Sequence, residues 1–425
     1  MFLTLEDPRA KVQGSRDPLG VQPVWAAFGR HVVTNLTTVS NSVRGFTILL
    51  LARYYAERLI EERKAGEEDA LSIFLRMEQL GAYARYVGHD VDGDIRGIER
   101  VKGFLAEHGA KVPIQDNATG MILSDQKTYG LWGLFSVPSR VSGLIADGPI
   151  GVSQYAREFV ETRYAPRLRR VEDGLFGLLL RGGVLDTGGR NPLFRALADL
   201  LPETFDEDET SFYGETLRDG LRVSDSVSGR QRLAAALLEK HTDLDATTER
   251  ADVEALARAA EEEDPGLAVR FRKIARVEAL FAPADAIFSH LQVRNGQTPD
   301  TIAQNLMDHW GKDIPHLDAG EFEDLLPEIV DIVGTDLAAL MHRCDSALAA
   351  GDYREAISAL IDWNALVMQR RQGAPWIRVQ GGKLDVRYRS NEQDLPDGDE
   401  LPGLWRNSYF LDSLKTISRQ LGSVA

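Results

Sequence analysis

Apolar residues recur every three to four positions along most of the chain, which is the spacing of amphipathic helices. The segment Phe46–Glu62 is apolar on nearly every side over its first turns, so it is predicted to be a core helix. From Val171 to Pro315 one helical segment follows another, and the loops between them contain glycine or proline. The pattern predicts a mainly α protein.

A more varied pattern occupies residues 121–164. Met121–Leu123 predicts a short buried strand, and Asp125 is placed to cap the helix that follows. Pro138 lacks an amide hydrogen, so we expect that helix to stop and a new one to start there. A turn and an amphipathic helix, Val152–Tyr164, complete the stretch, and the helix is predicted to turn Tyr155, Phe159 and Val160 inward. This order is the outline of a winged helix, although small helical domains with no DNA-binding role share it.

Two alternating runs, Trp376–Gln380 and Lys383–Tyr388, flank Gly381-Gly382, which is a strong signal for a β-hairpin. A two-residue turn places these pairs opposite each other: Ile377 and Val386, Val379 and Leu384, Arg378 and Asp385, and Trp376 and Arg387. The first two pairs form an apolar face, which we expect the last helix to cover. Trp376 and Arg387 then lie on the outer face.

With 425 residues, the chain is long enough for two or three domains, each with its own core. We predict an N-terminal helical domain at 1–170, with the winged-helix-like segment at about 116–170. A middle helical domain at 171–320 follows. The part at 321–425 is predicted to hold a helical hairpin, the β-hairpin and the terminal helix.

Composition narrows the class of protein. The single cysteine, Cys344, excludes a disulfide framework and a cysteine-based zinc site, and this fits a reducing cytoplasm. The most apolar run, Phe46–Ala52, is far too short to span a bilayer, so no membrane segment is expected. The acidic run Asp206–Glu209 is interpreted as a solvated helix end.

A formal charge of −16 makes the whole molecule unfavourable for phosphate binding, so any contact with DNA requires a local basic patch. The candidate residues for that patch are Arg140, Arg157, Arg163, Arg167 and Arg170. Three of them, Arg163, Arg167 and Arg170, fall at helical spacing, although Pro166 interrupts it. The alternative interpretation is an ordinary solvated helix face.

One arrangement resembles a nuclease centre: Asp116, an apolar run, and then Asp125 and Lys127. Two carboxylates that bind magnesium beside a lysine provide the chemistry that phosphodiester cleavage requires. Such a pattern also arises by chance in a chain with 65 acidic residues, and capping a helix is a sufficient role for Asp125.

The histidines give no convincing metal site. His89-Asp90 is followed by acidic residues, but the glycine and glutamate of a calcium loop are not at the required positions, so a capping turn is the simpler interpretation. His309 and His316 have no third ligand at a suitable spacing. We therefore predict neither a metal nor another cofactor.

Four segments resemble uncharacterised helical proteins of bacterial anti-phage defence islands. They are LTTVSNSVRGFTILLLARYYAERL from Leu36, LSDQKTYGLWGLFSVPSRVSGLI from Leu123, APWIRV from Ala374 and LWRNSYFLDSLKTI from Leu404. The resemblance implies a role in defence against phage or plasmids, as a partner or adaptor of a helicase, nuclease or methyltransferase encoded nearby. It provides no catalytic residues to transfer.

The sequence therefore predicts a non-catalytic, cytoplasmic component of a multiprotein defence system. Trp376, Arg387 and Trp405 are the candidate partner-binding residues, because Trp and Arg dominate the energetics of protein interfaces. Packing within the core is the other interpretation of these three residues, above all of Trp405. Two functions remain as alternatives: a metal-dependent nuclease that uses Asp116, Asp125 and Lys127, and a winged-helix DNA-binding regulator.

Overall fold

The computed structural model of the protein describes residues 17–148, 150–223, 228–317, 319–389 and 395–422. These residues are mainly helical, with two short antiparallel strand pairs, one of them near the C-terminus. The predicted fold class is confirmed.

The helices fall along the chain as follows. The first ten are α1 (Gln22–Arg30), α2 (Val43–Glu61), α3 (Ala70–His89), α4 (Ile98–His108), α5 (Gln126–Tyr129), α6 (Leu131–Val141), α7 (Gln154–Arg163), α8 (Ala165–Leu168), α9 (Glu172–Arg181) and α10 (Pro192–Leu200). The next five are α11 (Glu207–Tyr213), α12 (Ser228–His241), α13 (Arg250–Ala260), α14 (Pro265–Leu291) and α15 (Pro299–Trp310). The last five are α16 (Ala319–Glu323), α17 (Leu326–Val333), α18 (Thr335–Ala349), α19 (Tyr353–Arg370) and α20 (Leu411–Gly422). Short 3-10 turns cover Glu67–Asp69, Arg169–Val171 and Leu401–Gly403, and a π-helical turn covers Gly214–Arg218.

The four strands form two separate pairs. They are β1 (Lys111–Ile114), β2 (Gly183–Asp186), β3 (Ile377–Gln380) and β4 (Lys383–Val386). Strand β1 pairs with β2, and β3 pairs with β4. In the second pair Ile377 lies opposite Val386 and Arg378 opposite Asp385, so the predicted register of the hairpin is confirmed.

Two compact units divide the chain, and each is built from separated segments. The first unit takes the described part of Met1–Val32 together with Thr247–Tyr409, and the second takes Val33–Ala246 with the described part of Phe410–Ala425. This division differs from the three consecutive domains expected from the sequence. A helix at the end of the chain completes a unit that begins near residue 33.

Helix α2 is the core helix of the second unit, as its sequence predicts. Most of its residues are buried, and it packs against α3, α6 and α7. Ser42 caps the helix by accepting a hydrogen bond from the amide of Gly45 at 3.1 Å. The cap is effective because the first amides of a helix have no partner inside it.

A buried ion pair joins α2 to α11. The Arg44 guanidinium contacts both carboxylate oxygens of Glu209, at 2.5 and 3.1 Å. Glu209 also accepts a hydrogen bond from the Tyr164 hydroxyl at 2.7 Å. The prediction that Asp206–Glu209 is only a solvated end is therefore wrong at Glu209, which is buried and fixes the position of α11.

In the first unit, α19 and α14 cover the hairpin. Strand β3 packs on α19, where the Asn364 side chain accepts a hydrogen bond from the amide of Trp376 at 2.9 Å. The Trp376 ring lies 6.3 Å from Phe288 of α14. The terminal helix α20 belongs to the second unit and packs on α12, so the predicted cover of the hairpin is wrong.

Two local predictions in the stretch 121–164 are also wrong. Met121–Leu123 forms no strand, and the strand of this region is β1, which contains Pro113. Helix α6 continues through Pro138 instead of starting again there. The buried ring of Phe135, 4.8 Å from Phe46 of α2, belongs to the packing that keeps α6 in place despite the missing amide hydrogen.

Candidate functional site

A groove of about 470 Å³ lies between α7 and α11 in the second unit, and we call it the α7 groove. Its walls are formed by Tyr155, Glu158, Phe159, Thr162, Arg163, Asp208, Ser211 and Phe212. Ser153 caps α7 by accepting a hydrogen bond from the amide of Ala156 at 3.2 Å. Both walls are α-helices, and the helical backbone fixes the spacing of the side chains that face the groove.

Aromatic rings form the floor of the α7 groove. The rings of Phe159 and Phe212 are parallel within 2°, with their centroids 3.9 Å apart. Tyr155 stacks on the same Phe212 ring at 5.2 Å. Phe212 is buried, whereas Tyr155 and Phe159 are half-buried and keep part of their surface open to the groove. The floor is therefore a stack of three aromatic rings, and part of its apolar surface is open to the groove.

The Tyr155 ring is fixed by polar contacts. Its hydroxyl donates a hydrogen bond to Glu215 at 2.9 Å, and the Arg222 guanidinium lies 3.7 Å from the ring centroid. Burial and the bond to Glu215 raise the pKa of Tyr155, so the hydroxyl stays protonated at neutral pH. Glu215 lies in the π-helical turn after α11, an irregularity that is common at functional sites.

The rim of the α7 groove is acidic. Glu158 and Asp208 are exposed on opposite walls. The one arginine of the lining, Arg163, forms an ion pair with Asp206, which caps α11. Since that pair is neutral overall, the two exposed carboxylates determine the charge of the groove. The geometry suits a ligand that brings positive charge and a flat or apolar group.

The sequence predicts one wall of this site but not the other. Its pattern places Tyr155 and Phe159 on the inner side of an amphipathic helix, whereas no pattern indicates a role for Phe212 or Asp208. A usable signal was present, because Asp206 and Glu209 form the D-x-x-E capping box that begins a helix. Tertiary packing, which no local pattern reports, then places that helix beside α7.

The predicted DNA-binding arginines do not form one continuous stripe. Arg140 is exposed near the end of α6, and Arg157 forms an ion pair with Glu57 at 2.6 Å and lies 3.4 Å from Glu61. Helix α7 ends at Arg163. The two remaining candidates, Arg167 and Arg170, are exposed on α8 and on the 3-10 turn after it. The winged-helix and DNA-contact roles stay predictions.

The residues of the nuclease alternative have structural roles. Asp116 forms an ion pair with Arg76 at 2.8 Å. Burial alone would raise the pKa of Asp116, but hydrogen bonds from Ser72 and Arg76 lower it overall. Asp125 accepts a hydrogen bond from the Thr128 amide at 3.0 Å, which confirms the predicted cap, and Lys127 is exposed on α5. Nuclease activity stays an untested alternative.

The predicted partner-binding residues are only partly accessible. Trp376 is 3% exposed, so its expected place on the outer face of the hairpin is wrong. Its ring lies under Tyr388, with the two centroids 4.2 Å apart. Arg387 is half-buried, and the half-buried Trp405 ring packs 5.5 Å from Tyr409. The hairpin therefore offers Tyr388, instead of Trp376, as its exposed aromatic side chain.

Among the described residues, no three or more His, Cys, Asp or Glu side chains converge in an arrangement that holds a metal ion. Within the same part of the chain, no helix combines the length and apolar character needed to cross a bilayer. The Cys344 thiol is buried in α18, and burial raises its pKa. No family model matches the sequence, and no curated protein or solved structure is detectably similar to it.

Proposed function

We propose that this protein is a non-catalytic component of a bacterial multiprotein defence system, and that it recruits a partner through the α7 groove. The partner is a helicase, nuclease or methyltransferase encoded nearby, and it contributes a basic segment. The observation that carries this proposal is the groove itself, in which an aromatic floor lies between two exposed carboxylates.

The chemistry of the groove favours an arginine or lysine side chain of the partner. The apolar part of that side chain packs against the accessible parts of Tyr155 and Phe159, which are half-buried in the floor. Glu158 and Asp208 pair with the same cation or with a neighbouring one. Aromatic anchors surrounded by a polar rim are typical of the residues that dominate protein interfaces.

Charge at the scale of the whole chain acts in the same direction. A formal charge of −16 attracts a basic protein over long distances and repels the phosphates of nucleic acid. Arg157 and Arg163 add little attraction for DNA, because their charges are balanced by Glu57 and Asp206. A protein partner is therefore better supported than direct binding to DNA.

Two further observations support the absence of catalysis and the setting in defence. Asp116 and Asp125, the carboxylates of the nuclease alternative, serve in an ion pair and in a helix cap. The four segments that resemble helical proteins of defence islands include Leu123–Ile145, which contains α5 and α6.

The test is pairwise binding between the purified protein and each product of the neighbouring genes, by surface plasmon resonance at two salt concentrations. The groove variant is Glu158→Lys with Asp208→Lys. Its matched control is Glu99→Lys with Glu107→Lys, which makes the same change of charge at exposed positions on α4, outside the groove.

We expect one partner to bind the wild type and the control, and to bind the groove variant at least about tenfold more weakly. The affinity should fall as salt rises, because exposed charges are screened. The docking role is refuted if no neighbouring product binds the wild type, or if the groove variant binds as well as the control.

A further inference from the structure

The first unit contains a second cavity, which we call the α14 cavity. It encloses about 250 Å³ beside α1 and α14, less than the roughly 300–1,000 Å³ of pockets that hold drug-sized ligands. Leu19, Trp25 and Phe281 give it apolar walls, and all three are buried. Asp285 and Arg406 also line it and provide opposite charges. A cavity of this size accommodates a molecule comparable to one amino acid.

Helix α14 places two carboxylates at this end of the first unit, and their surroundings differ. Glu278 is fully buried and accepts hydrogen bonds from the amides of Arg406 and Asn407, the Asn407 side chain and the Tyr409 hydroxyl. These bonds fix residues 406–409 beside the helix. Asp285 comes seven residues later, which is two helical turns. The hydrogen bonds of the Glu278 carboxylate therefore hold the backbone that carries Arg406.

Asp285 is half-buried at the cavity wall, and no described residue donates a hydrogen bond to its carboxylate. The pKa of Asp285 is raised, mainly by burial. The positive charge of Arg406 opposes this rise, and the negative charge of Asp17 adds to it. Asp285 and Arg406 form no ion pair with each other. Asp17, the other acid of the lining, accepts a hydrogen bond from the amide of Val21 at 2.9 Å and pairs with Arg371. The Asp285 carboxylate is therefore available to accept a hydrogen bond from a ligand in the cavity.

We propose that the α14 cavity binds a small zwitterion with an apolar side chain, such as an apolar α-amino acid. Asp285 accepts hydrogen bonds from the ligand's ammonium group, and exposed Arg406 donates hydrogen bonds to the ligand's carboxylate. The apolar side chain packs against Trp25 and Phe281. Each of the three groups of the ligand therefore meets a wall of matching chemistry, and both charged side chains of the protein obtain a partner.

Residues 17–25, 281, 285 and 406 all belong to the first unit, so this inference does not depend on the α7 groove. A binding site here also accounts for an irregularity in α14 that packing does not require. The helix continues through Pro283, which removes one backbone hydrogen bond two residues before Asp285. A binding site at this point gives a reason for a polar, irregular position inside a long buried helix.

The first experiment uses the full chain and four probes in isothermal titration calorimetry. L-leucine and L-phenylalanine carry both charges. 3-Methylbutylamine has the ammonium and side chain of leucine without the carboxylate, and 4-methylpentanoate has the carboxylate without the ammonium. We expect at least one of the two amino acids to bind at millimolar concentration or below. Removing either charge should weaken binding at least about tenfold, since a charge-assisted hydrogen bond contributes about 1.5–3 kcal/mol.

The second experiment assigns the charges to residues. Asp285→Asn and Arg406→Gln should each weaken amino-acid binding at least about tenfold. The controls are Asp331→Asn and Arg258→Gln, which are exposed, lie in the same unit outside the cavity and should bind as the wild type does. If a cavity variant does not fold, the comparison of probes on the wild type still decides the question.

Three results would overturn the proposal. One is that neither amino acid binds the wild type. Another is that the amine binds as tightly as leucine, which would indicate a site for a simple cation. The third is that folded Asp285→Asn binds the amino acid as well as Asp331→Asn does.

Discussion

Three buried glutamates illustrate how the surroundings of a residue determine the cost of its charge. Glu209 faces the Arg44 guanidinium, and Glu278 accepts four hydrogen bonds. Within the part of the chain that the structure describes, Glu78 of α3 accepts hydrogen bonds only from the Gln126 side chain and the Leu131 amide, at 2.9 and 2.7 Å. No cation pairs directly with it among the described residues. Glu78 is therefore the glutamate whose charge the fold stabilises least.

This difference predicts a pH dependence for the free energy of unfolding. Burial is the main cause that raises the pKa of Glu78 from 4.5 to about 7. Between these values the folded protein holds a proton that the unfolded chain has lost, so the free energy of unfolding falls as pH rises through the interval. Glu78→Gln removes the titration. The free energy of unfolding of the variant, relative to that of the wild type, should therefore rise by about 2–3 kcal/mol between pH 5 and pH 8.

Urea unfolding at the two pH values measures this gain. The substitution also removes a hydrogen-bond acceptor, but that cost is the same at both pH values and does not affect the comparison. The control is Glu68→Gln at an exposed position in the 3-10 turn Glu67–Asp69. Because it keeps Glu78, its stability relative to wild type should be the same at both pH values. A Glu78→Gln variant whose stability relative to wild type is the same at both pH values would contradict the assignment.

At the scale of elements, the features that the sequence predicts well are those that depend on neighbouring residues. The hairpin register follows from alternation and from a Gly-Gly turn, and both are local. The wrong predictions involve distant partners: β1 pairs with β2 some seventy residues later, and Trp376 is buried by Phe288 and Asn364. Pro138 remains inside α6, where tertiary packing outweighs a local preference. Tertiary packing also brings Phe212 of α11 into the α7 groove.

The hairpin turn allows a direct test of backbone conformation. Gly381 and Gly382 have φ of 58° and 76°, which is the left-handed region. A Cβ added at either position would have no heavy atom within 4 Å, so substitution introduces no clash with neighbouring groups. Gly382→Ala should lower the free energy of unfolding by about 1–2 kcal/mol, the cost of a left-handed alanine.

The matched variant is Gly381→Asn, because asparagine at the first turn position tolerates positive φ. We expect its unfolding free energy to remain within about 0.5 kcal/mol of wild type, as for a substitution without a structural cost. Both are measured by urea unfolding. Equal losses in Gly382→Ala and Gly381→Asn would mean that the turn conformation is not the cause.

At the scale of the whole molecule, the chain passes between the two units three times, after Val32, Ala246 and Tyr409. Domain boundaries read along the sequence assume that each domain is continuous, and here neither unit is. Local sequence patterns do not report which distant segments pack into one unit, so they did not predict these crossings. The units depend instead on which helices pack together, as α20 does with α12, α11 and α2.

This arrangement makes the second unit dependent on the last helix of the chain. Leu411, Leu414, Ile417 and Leu421 of α20 are fully buried within that unit. Burial of each contributes about 1.5–3 kcal/mol, so together they supply roughly 6–12 kcal/mol. That is comparable to the entire stability of a typical domain, about 5–15 kcal/mol. A chain that ends at Tyr409 should therefore lose the fold of the second unit while the first unit remains folded.

Hydrogen exchange followed by mass spectrometry separates the two units in one experiment. In the chain truncated after Tyr409, we expect protection to be lost in α2 and α3 and kept in α18 and α19, and a synthetic peptide of residues 410–425 should restore it. Truncation after Gly422 keeps all of α20 and should leave protection as in the full chain. If α2 and α3 stay protected without residues 410–425, the terminal helix does not complete the core of the second unit.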